Sequence, residues 1–279
     1  MRCPPLVAAV RPAQALKQLP VLAPVAFGHR LHDPVAVGSV VACAVAFTLV
    51  ASGGYLVNDV VDRADDATHP RKRARPVAAG TLSPRTALVA AGVLVAAGLA
   101  VAVLGSTAAA AAAVGAYLAA TLAYSLGAKR VVALGPAVVA LGFVLRVLGG
   151  AWAAPVTPSG WLVGLTAGLA SALAVAKREN DARRRDGEAP RALRRATDAL
   201  LLLVAAGYAA YTLAPGTVAL HGTRALAFTV VPVAGALARF RARLRADRTG
   251  AGPADLVVTD PVALALGAAW AAACLALLA

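Results

Sequence analysis

The feature that most constrains this chain is a series of apolar runs, each about as long as a bilayer is thick. A membrane-spanning helix needs about 20 predominantly apolar residues, and the chain is 60% hydrophobic but only 14% charged. We therefore predict an all-α integral membrane protein, because that composition suits neither a solvated surface nor disorder. About nine transmembrane helices are expected, at residues 14–30, 35–57, 84–104, 106–125, 131–152, 158–176, 196–214, 222–240 and 258–278. The first of these segments contains Lys17, Pro20 and Pro24. An interfacial helix is therefore the alternative for this segment, and eight spans would then remain.

The positions of the charges predict the topology. Of the 27 Lys and Arg residues, 24 fall at the N-terminus and in every second connecting loop, and 12 of the 13 acids lie on the same side. Because basic loops remain inside, we expect the N-terminus in the cytoplasm and the C-terminus outside. The formal charge of +14 is thus a topology signal, and no nucleic acid partner is expected. The expected location is a bacterial plasma membrane, crossed many times.

The polar chemistry is concentrated in two cytoplasmic loops, at about 58–83 and 177–195, of a single transmembrane domain spanning residues 1–279. In the first loop, Asn58, Asp62 and Asp66 are spaced four apart, so a continuing helix would place them on one face. Neighbouring carboxylates repel each other unless a cation lies between them, and Mg²⁺ is commonly held by one or two carboxylates plus substrate phosphates. The acids therefore predict a magnesium–diphosphate site. The bases that follow suit the phosphate oxygens: Arg71, Lys72, Arg73 and Arg75.

The pattern Asn58-Asp59-x-x-Asp62-x-x-x-Asp66 resembles the signature of the UbiA superfamily of intramembrane prenyltransferases, and His69 to Gly80 is similar to its continuation. The resemblance implies one nine-helix UbiA-type bundle with a polar cavity that faces the cytoplasm and opens sideways to lipid. It also implies that four residues are both catalytic and metal-ligating: Asn58, Asp59, Asp62 and Asp66.

The second loop favours one branch of that superfamily. Lys177-Arg178-x-x-Asp181 resembles the Lys-Arg-x-x-Glu of the decaprenyl-phosphate phosphoribosyltransferase branch, with Glu179 as the alternative acid. Other stretches similar to that branch are Arg11-Pro12 through Lys17, Tyr124 to Leu126, Lys129-Arg130, Gly142 to Gly150, and Pro253 to Trp270. Ala15 stands where the branch has Trp, which indicates a divergent member.

The resemblance implies a Mg²⁺-dependent transferase that moves 5-phosphoribose from phosphoribosyl pyrophosphate to a polyprenyl phosphate. Pyrophosphate would be released, and the lipid product would be a cell wall precursor. A basic second loop suits the metal-free 5-phosphate, so Lys177, Arg178 and Asp181 are expected to hold the ribosyl phosphate and hydroxyls. Lys17 and Arg146 are candidates for the acceptor phosphate. The alternative for Lys17 is an interfacial anchor, and the alternative for Arg146 is a structural pairing with an acid. Tyr124 and Lys129 complete the substrate-binding candidates, Tyr124 being alternatively an interfacial belt residue.

Three other functions are compatible with parts of the pattern. An aromatic prenyltransferase of the same fold would use a prenyl diphosphate and have two acid-rich loops, whereas the second loop has eight bases and four acids. A UbiA-type terpene cyclase would need an aromatic-lined cavity, and aromatic residues make up 5% of the chain. A lipid or anion transporter would show broken spans or charges at mid-membrane, preferably in internal repeats; the sequence has no clear repeat, and Arg146 is its only strong candidate for such a charge. The oligomeric state is left open by the sequence.

Overall fold

A computed structural model describes residues 4–70, 72–131, 134–247 and 252–278. The described residues form helices joined by turns and short loops, with no strand. They divide into two compact units, one ending at Ser159 and the other beginning at Gly160. The expectation of a single domain spanning 1–279 stays a prediction.

The described residues of the first unit form seven α-helices. In chain order they are α1 (Pro5–Val10), α2 (Leu19–Phe27), α3 (Pro34–Val61), α4 (Arg63–Thr68), α5 (Pro84–Gly105), α6 (Ala108–Leu126) and α7 (Leu134–Ala153). Three of the long helices, α3, α5 and α6, begin at side-chain caps, which satisfy N–H groups that lack partners within the helix. Asp33 accepts from the backbone N–H groups of Val35 and Ala36 at 3.0 and 3.1 Å. Ser83 and Thr107 cap α5 and α6 in the same way.

The core of the first unit lies along α3, which packs against α5, α6 and α7. Val40, Phe47 and Val50 are fully buried on α3. The approach of α5 is close at Gly53, where an added Cβ would lie 2.7 Å from Val95 Cγ2 and 3.0 Å from the Ala91 carbonyl oxygen. Small residues allow such close packing between helices in a membrane, and this packing holds the C-terminal end of α3 in place.

In the second unit, the part of the chain that the structure describes forms six α-helices. They are α8 (Gly160–Asp186), α9 (Arg191–Leu213), α10 (Pro215–His221), α11 (Val230–Ala246), α12 (Pro253–Val258) and α13 (Pro261–Leu278). Its core is a cluster between α8, α9, α11 and α12 that includes Ala176, Leu201 and Leu244. The segment 177–195 is mostly helical, because α8 extends ten residues past the expected span 158–176. Ala, Lys, Arg and Glu dominate this extension, and they are strong helix formers.

Asp260 joins the last two helices and is 1% exposed. Its carboxylate accepts from Arg239 Nε at 2.8 Å and from the backbone N–H groups of Val262 and Ala263 at 2.9 and 3.3 Å. Burial opposes ionisation, but these donors outweigh it, so the pKa of Asp260 lies below its ordinary value.

Seven helical segments of the described chain are long and apolar enough to cross a membrane. They are Pro34–Val61, Pro84–Gly105, Ala108–Leu126, Leu134–Ala153, Gly160–Asp186, Arg191–Leu213 and Ala225–Ala246. A further apolar helix, Pro261–Leu277, is shorter. Large apolar side chains remain exposed on these helices, among them Leu104 at 86% and Leu202 at 70%. The all-α, multi-pass prediction is confirmed. The count of nine stays a prediction, because the expected span 14–30 is a 3₁₀ helix, Pro12–Gln18, followed by the nine-residue α2.

Candidate active site

The first acidic motif lies where α3 ends. The helix does not continue through it: α3 stops at Val61, Asp62 caps it, and α4 begins at Arg63. Asn58 and Asp62 still meet across one turn, with Asn58 Nδ2 donating to Asp62 Oδ2 at 3.0 Å. Because of the break, the motif divides into two pairs, Asn58 with Asp62 and Asp59 with Asp66.

Asp59 and Asp66 are each 1% exposed and are bridged by Arg75. Arg75 Nη1 donates to Asp59 Oδ1 at 3.1 Å and to Asp66 Oδ2 at 2.6 Å. Lys72 Nζ lies 3.7 Å from Asp66 Oδ1. Buried carboxylates are stable only when they are paired, and the bases that follow the acids in the sequence supply this pairing.

Two further cations reach the acids from distant parts of the chain. Arg11 pairs with Asp59, and its guanidinium lies 5.0 Å from the centre of the Tyr55 ring. Lys129 pairs with Asp62 and also donates to Asn58 Oδ1 at 3.1 Å. The acids thus form a network in which each carboxylate contacts at least one cation.

The donor chemistry of this cluster fits a divalent cation together with a diphosphate. Asp59 Oδ2 is buried and has no hydrogen-bond partner among the described residues. No group of three His, Cys, Asp or Glu side chains in the described ranges lies close enough to hold a metal alone. Mg²⁺ needs only one or two carboxylates when phosphate oxygens and waters complete its shell, so Asp59 and its neighbours fit such a site.

Arg146, predicted for the acceptor phosphate, is buried within the first unit. It donates from Nε to Gln18 Oε1 at 2.7 Å, from Nη1 to the Gly142 carbonyl at 2.9 Å and from Nη2 to the Tyr117 hydroxyl at 2.9 Å. Its guanidinium also lies 4.3 Å from the centre of the Tyr117 ring. The contacts described for Arg146 are therefore neutral, and no acid is among them.

The remaining candidates of the first unit lie in different settings. Lys17 is half-buried in the 3₁₀ helix that precedes α2, and Tyr124 is half-buried near the end of α6. Arg73 is exposed. Arg71 lies outside the described residues.

The second motif lies on α8, where the two alternative acids differ in their surroundings. Glu179 is fully buried. Both of its oxygens accept from Arg241 Nη1, at 2.7 and 2.8 Å, and one also accepts from Arg183 Nη2 at 2.7 Å. Lys177 is exposed, and Arg178 and Asp181 are half-buried. Because Glu179 is committed to ion pairs inside the second unit, the geometry favours Asp181 as the acid available to a substrate.

Sequence reasoning did not select several residues that shape these sites. In the sequence, Arg11 belongs to a stretch that resembles the branch but was not selected as a site residue. Its position directly after the apolar run 6–10 is a usable signal. Gln18 and Tyr117 gave no signal beyond being polar groups in or beside apolar runs. Arg241 lies in the basic cluster 239–248, which the sequence assigns mostly to topology and to contact with anionic lipid.

Together, the helices and the paired acids define an all-helical, multi-pass membrane protein with a carboxylate–cation centre at the end of one span. The chain belongs to the UbiA prenyltransferase family, whose model matches residues 19–256. The predicted superfamily and its transferase class are thereby confirmed.

Among curated relatives, the chain is similar to two proteins named decaprenyl-phosphate phosphoribosyltransferase. It is 39% identical over 162 residues to the one from Mycolicibacterium smegmatis, covering 57% of this chain and 51% of the relative. It is 37% identical over 161 residues to the one from Corynebacterium glutamicum, covering 57% and 48%. These matches confirm the resemblance to that branch, and they span about half the length of each relative.

Solved structures share the fold. A UbiA homologue from Archaeoglobus fulgidus, solved with DMAPP and Mg²⁺ bound, matches with a TM-score of 0.75 and 17% identity over 98% of each chain. A UbiA homologue from Aeropyrum pernix K1 matches with a TM-score of 0.66 and 21% identity, covering 92% of this chain and 97% of that one. The UbiA-type helical bundle is thus confirmed, while the cytoplasm-facing cavity stays a prediction.

Proposed function

We propose that this protein transfers 5-phosphoribose from phosphoribosyl pyrophosphate to a polyprenyl phosphate, with Mg²⁺, and releases pyrophosphate. The names of the curated relatives support this activity. The observation that carries it is the difference between the two motifs. The first motif keeps three acids, Asp59, Asp62 and Asp66, within one network of ion pairs. In the second motif Glu179 is fully buried between Arg241 and Arg183, which leaves Asp181 as its one accessible candidate acid.

That difference favours one metal-dependent diphosphate site over two. A prenyl diphosphate donor held by two acid-rich motifs would need several acids clustered at each motif. In the second motif Lys177 is exposed and Asp181 is the accessible acid. A Lys/Arg pair beside a single acid suits a phosphate plus sugar hydroxyls, which are the other end of phosphoribosyl pyrophosphate.

The ion pairs of the acids with Lys72, Arg75 and Lys129 support the following roles. Asp59, Asp62 and Asp66, with Asn58 positioning Asp62, hold the magnesium–diphosphate end of the donor. A bound Mg²⁺ would supply neutralisation of the pyrophosphate leaving group. The bases of the same segment, Arg71, Lys72, Arg73 and Arg75, together with Lys129, contact the phosphate oxygens.

In the reaction, a phosphate oxygen of the acceptor forms a bond to C1 of the ribose. The bond from C1 to the pyrophosphate oxygen breaks, and pyrophosphate leaves with the electron pair. The acceptor phosphate is already an anion, so no strong general base is required. Catalysis then consists mainly of positioning and charge neutralisation. Lys177, Arg178 and Asp181 orient the ribosyl phosphate, and Lys17, Tyr124 and Arg146 serve the acceptor side.

The proposed location is the bacterial plasma membrane with both motifs on its cytoplasmic side. Phosphoribosyl pyrophosphate is soluble and anionic, so it would reach the motifs from the cytosol, while the apolar spans keep the lipid acceptor nearby. The strong bias of Lys and Arg toward one set of loops supports this orientation.

A product analysis tests the proposal. The purified full chain is incubated with Mg²⁺ under three conditions: phosphoribosyl pyrophosphate plus decaprenyl phosphate, a prenyl diphosphate plus an aromatic acid, and a prenyl diphosphate alone. Lipid products are identified by mass. We expect a phosphoribosylated lipid in the first condition only. A prenylated ring, or a cyclised hydrocarbon, formed instead by folded protein would replace the proposal with the corresponding alternative.

Asp62→Asn tests the metal-linked role of the acids, and Asp65→Asn is its matched control. Asp65 is exposed on α4, whereas Asp62 contacts Asn58 and Lys129. Metal assistance is worth several kcal/mol, so Asp62→Asn is expected to lower kcat/KM by about 100-fold or more. Asp65→Asn should remain within about threefold of wild type. Equal losses in both variants, or none in Asp62→Asn, would reject the assignment.

A further inference from the structure

The second unit carries an arginine-lined pocket that the proposed reaction does not use. Its volume is about 560 Å³. The lining includes six arginines from α8, the start of α9 and the end of α11: Arg183, Arg191, Arg194, Arg195, Arg241 and Arg245.

The pocket lies on a different face of α8 from the residues proposed to hold the donor. Lys177 and Asp181 are four residues apart and share one face. Glu179 and Arg183 are likewise four apart, and they are rotated by about 200° from the first pair, because successive helical residues are about 100° apart. Glu179 and Arg183 contact α11 through Arg241 and the Leu244 carbonyl. The pocket is therefore separate from the Lys177–Asp181 face.

The pocket has more positive charge than its acids neutralise. Asp198 contacts Arg241 and Arg245, buried Glu179 contacts Arg241 and Arg183, and exposed Glu188 pairs with Arg194. Six guanidinium groups thus face three carboxylates. Arg191 and Arg195 form no ion pair with any described residue, although both line the pocket.

The arrangement is also partly rigid. Arg241 is 10% exposed as a side chain and is held between Glu179 and Asp198. Its Nε, Nη1 and Nη2 donate to Asp198, Glu179 and the Arg194 carbonyl oxygen, so Arg241 fixes the wall of the pocket. Arg191 and Arg195 supply guanidinium groups whose planar donors match the oxygens of a phosphate. We propose that this pocket is a second anion site, which binds a phosphate group.

Two sources could supply that phosphate. Basic pockets between membrane helices bind anionic lipid head groups, and exposed Leu202 follows Arg195 by seven residues on the same face of α9, where an acyl chain would lie. A soluble phosphate, such as the pyrophosphate released in the proposed reaction, has the same binding chemistry. Binding here does not depend on the proposed transferase activity.

Two charge-altering variants of the full chain test the site. Arg191→Gln with Arg195→Gln removes the two pocket cations that form no ion pair within the described ranges. Its matched control is Arg85→Gln with Arg185→Gln, which removes two exposed cations outside the pocket. Asp198→Asn removes the competing carboxylate and should act in the opposite direction. Unchanged melting temperatures without ligand establish that the variants are folded.

Binding is measured in EDTA, so that a magnesium site does not contribute. One arm titrates inorganic pyrophosphate into delipidated protein. The other compares retention of phosphatidylglycerol and phosphatidylcholine by native mass spectrometry. We expect at least tenfold weaker binding of pyrophosphate or phosphatidylglycerol in the pocket double variant, and less than a twofold change in the control. Asp198→Asn should bind more tightly than wild type.

The pattern of results identifies the source or overturns the site. Selective retention of phosphatidylglycerol without a response to pyrophosphate supports a lipid head group, and the converse supports a soluble phosphate. The proposal is overturned if wild type binds neither probe, or if the pocket double variant and its control bind equally well.

Discussion

Glu179 is the residue whose removal best separates a structural acid from a substrate-binding one. Its carboxylate is fully buried and accepts hydrogen bonds from Arg241 and Arg183 at 2.7 to 2.8 Å. Removing one partner of a buried ion pair costs about 3–5 kcal/mol, because the other charge is left uncompensated. Arg241 would still contact Asp198, so we expect Glu179→Gln to cost about 3 kcal/mol, near the lower end of that range.

Thermal unfolding followed by tryptophan fluorescence measures this cost. For a chain of this size, about 3 kcal/mol corresponds to a fall in Tm of about 6 °C. Glu188→Gln is the matched control. Glu188 pairs with Arg194, but its side chain is 75% exposed, and exposed pairs contribute little, so Tm should change by less than about 2 °C.

Activity measured on the same samples completes the test. We expect Glu179→Gln to keep its turnover per folded molecule within about threefold, and Asp181→Asn to lose turnover while Tm stays within about 2 °C of wild type. The reasoning is refuted if Glu179→Gln melts like wild type but loses its turnover. In that case Glu179 would be the acid that meets the substrate, and its ion pairs would be incidental.

Two further predictions concern helix packing and pH. Gly150→Ala would place a Cβ 2.0 Å from the Val21 carbonyl oxygen, so we expect the free energy of unfolding to fall by about 3 kcal/mol and Tm to fall with it. Gly92→Ala is the control, because the space around Gly92 is open, and it should be neutral or slightly stabilising. Equal changes of Tm in the two variants would contradict the packing argument. The pKa of Asp260 in the folded protein lies below its ordinary value. Its ionised form therefore stabilises the fold fully above the unfolded-state pKa of about 3.9. This stabilisation is lost as the pH falls through the folded-state pKa. The Tm difference between wild type and Asp260→Asn should therefore be large at pH 7 and shrink below pH 4, and a difference independent of pH would count against it.

The parts of the fold that the sequence predicted are those governed by local composition. Apolar runs gave the long helices because crossing a bilayer sets a minimum length of apolar helix. The C-terminal end of α8 was missed because hydropathy marks only the apolar residues that cross the membrane. Helix propensity continues into the charged residues after 176, and α8 continues through them to Asp186. The span expected at 14–30 is also different, since the chain is a 3₁₀ helix up to Gln18, and α2, with Pro20 in its first turn, runs only from Leu19 to Phe27.

The sequence predicted only the part of the candidate site whose residues are close together along the chain. The acids and Arg75 lie within one short segment, so a pattern could select them. Arg11 and Lys129 lie 48 and 67 residues from the acids they contact, and Arg241 lies 62 residues from Glu179. Such pairs depend on how helices pack, and no periodicity within one helix encodes that.

The ion pairs of the acidic segment also change the expectation of how its charges would meet a divalent cation. The sequence suggested separate tasks, with acids for the metal and bases for phosphate. In the structure the two kinds of charge are interleaved, because three acids contact four cations: Asp59, Asp62 and Asp66 against Arg11, Lys72, Arg75 and Lys129. A divalent cation entering alone would add charge to a cluster that is already neutralised, whereas a cation arriving with a diphosphate brings its own compensation. In the proposed site the same bases would then turn from the carboxylates to the phosphate oxygens, so we expect metal binding to depend on the diphosphate.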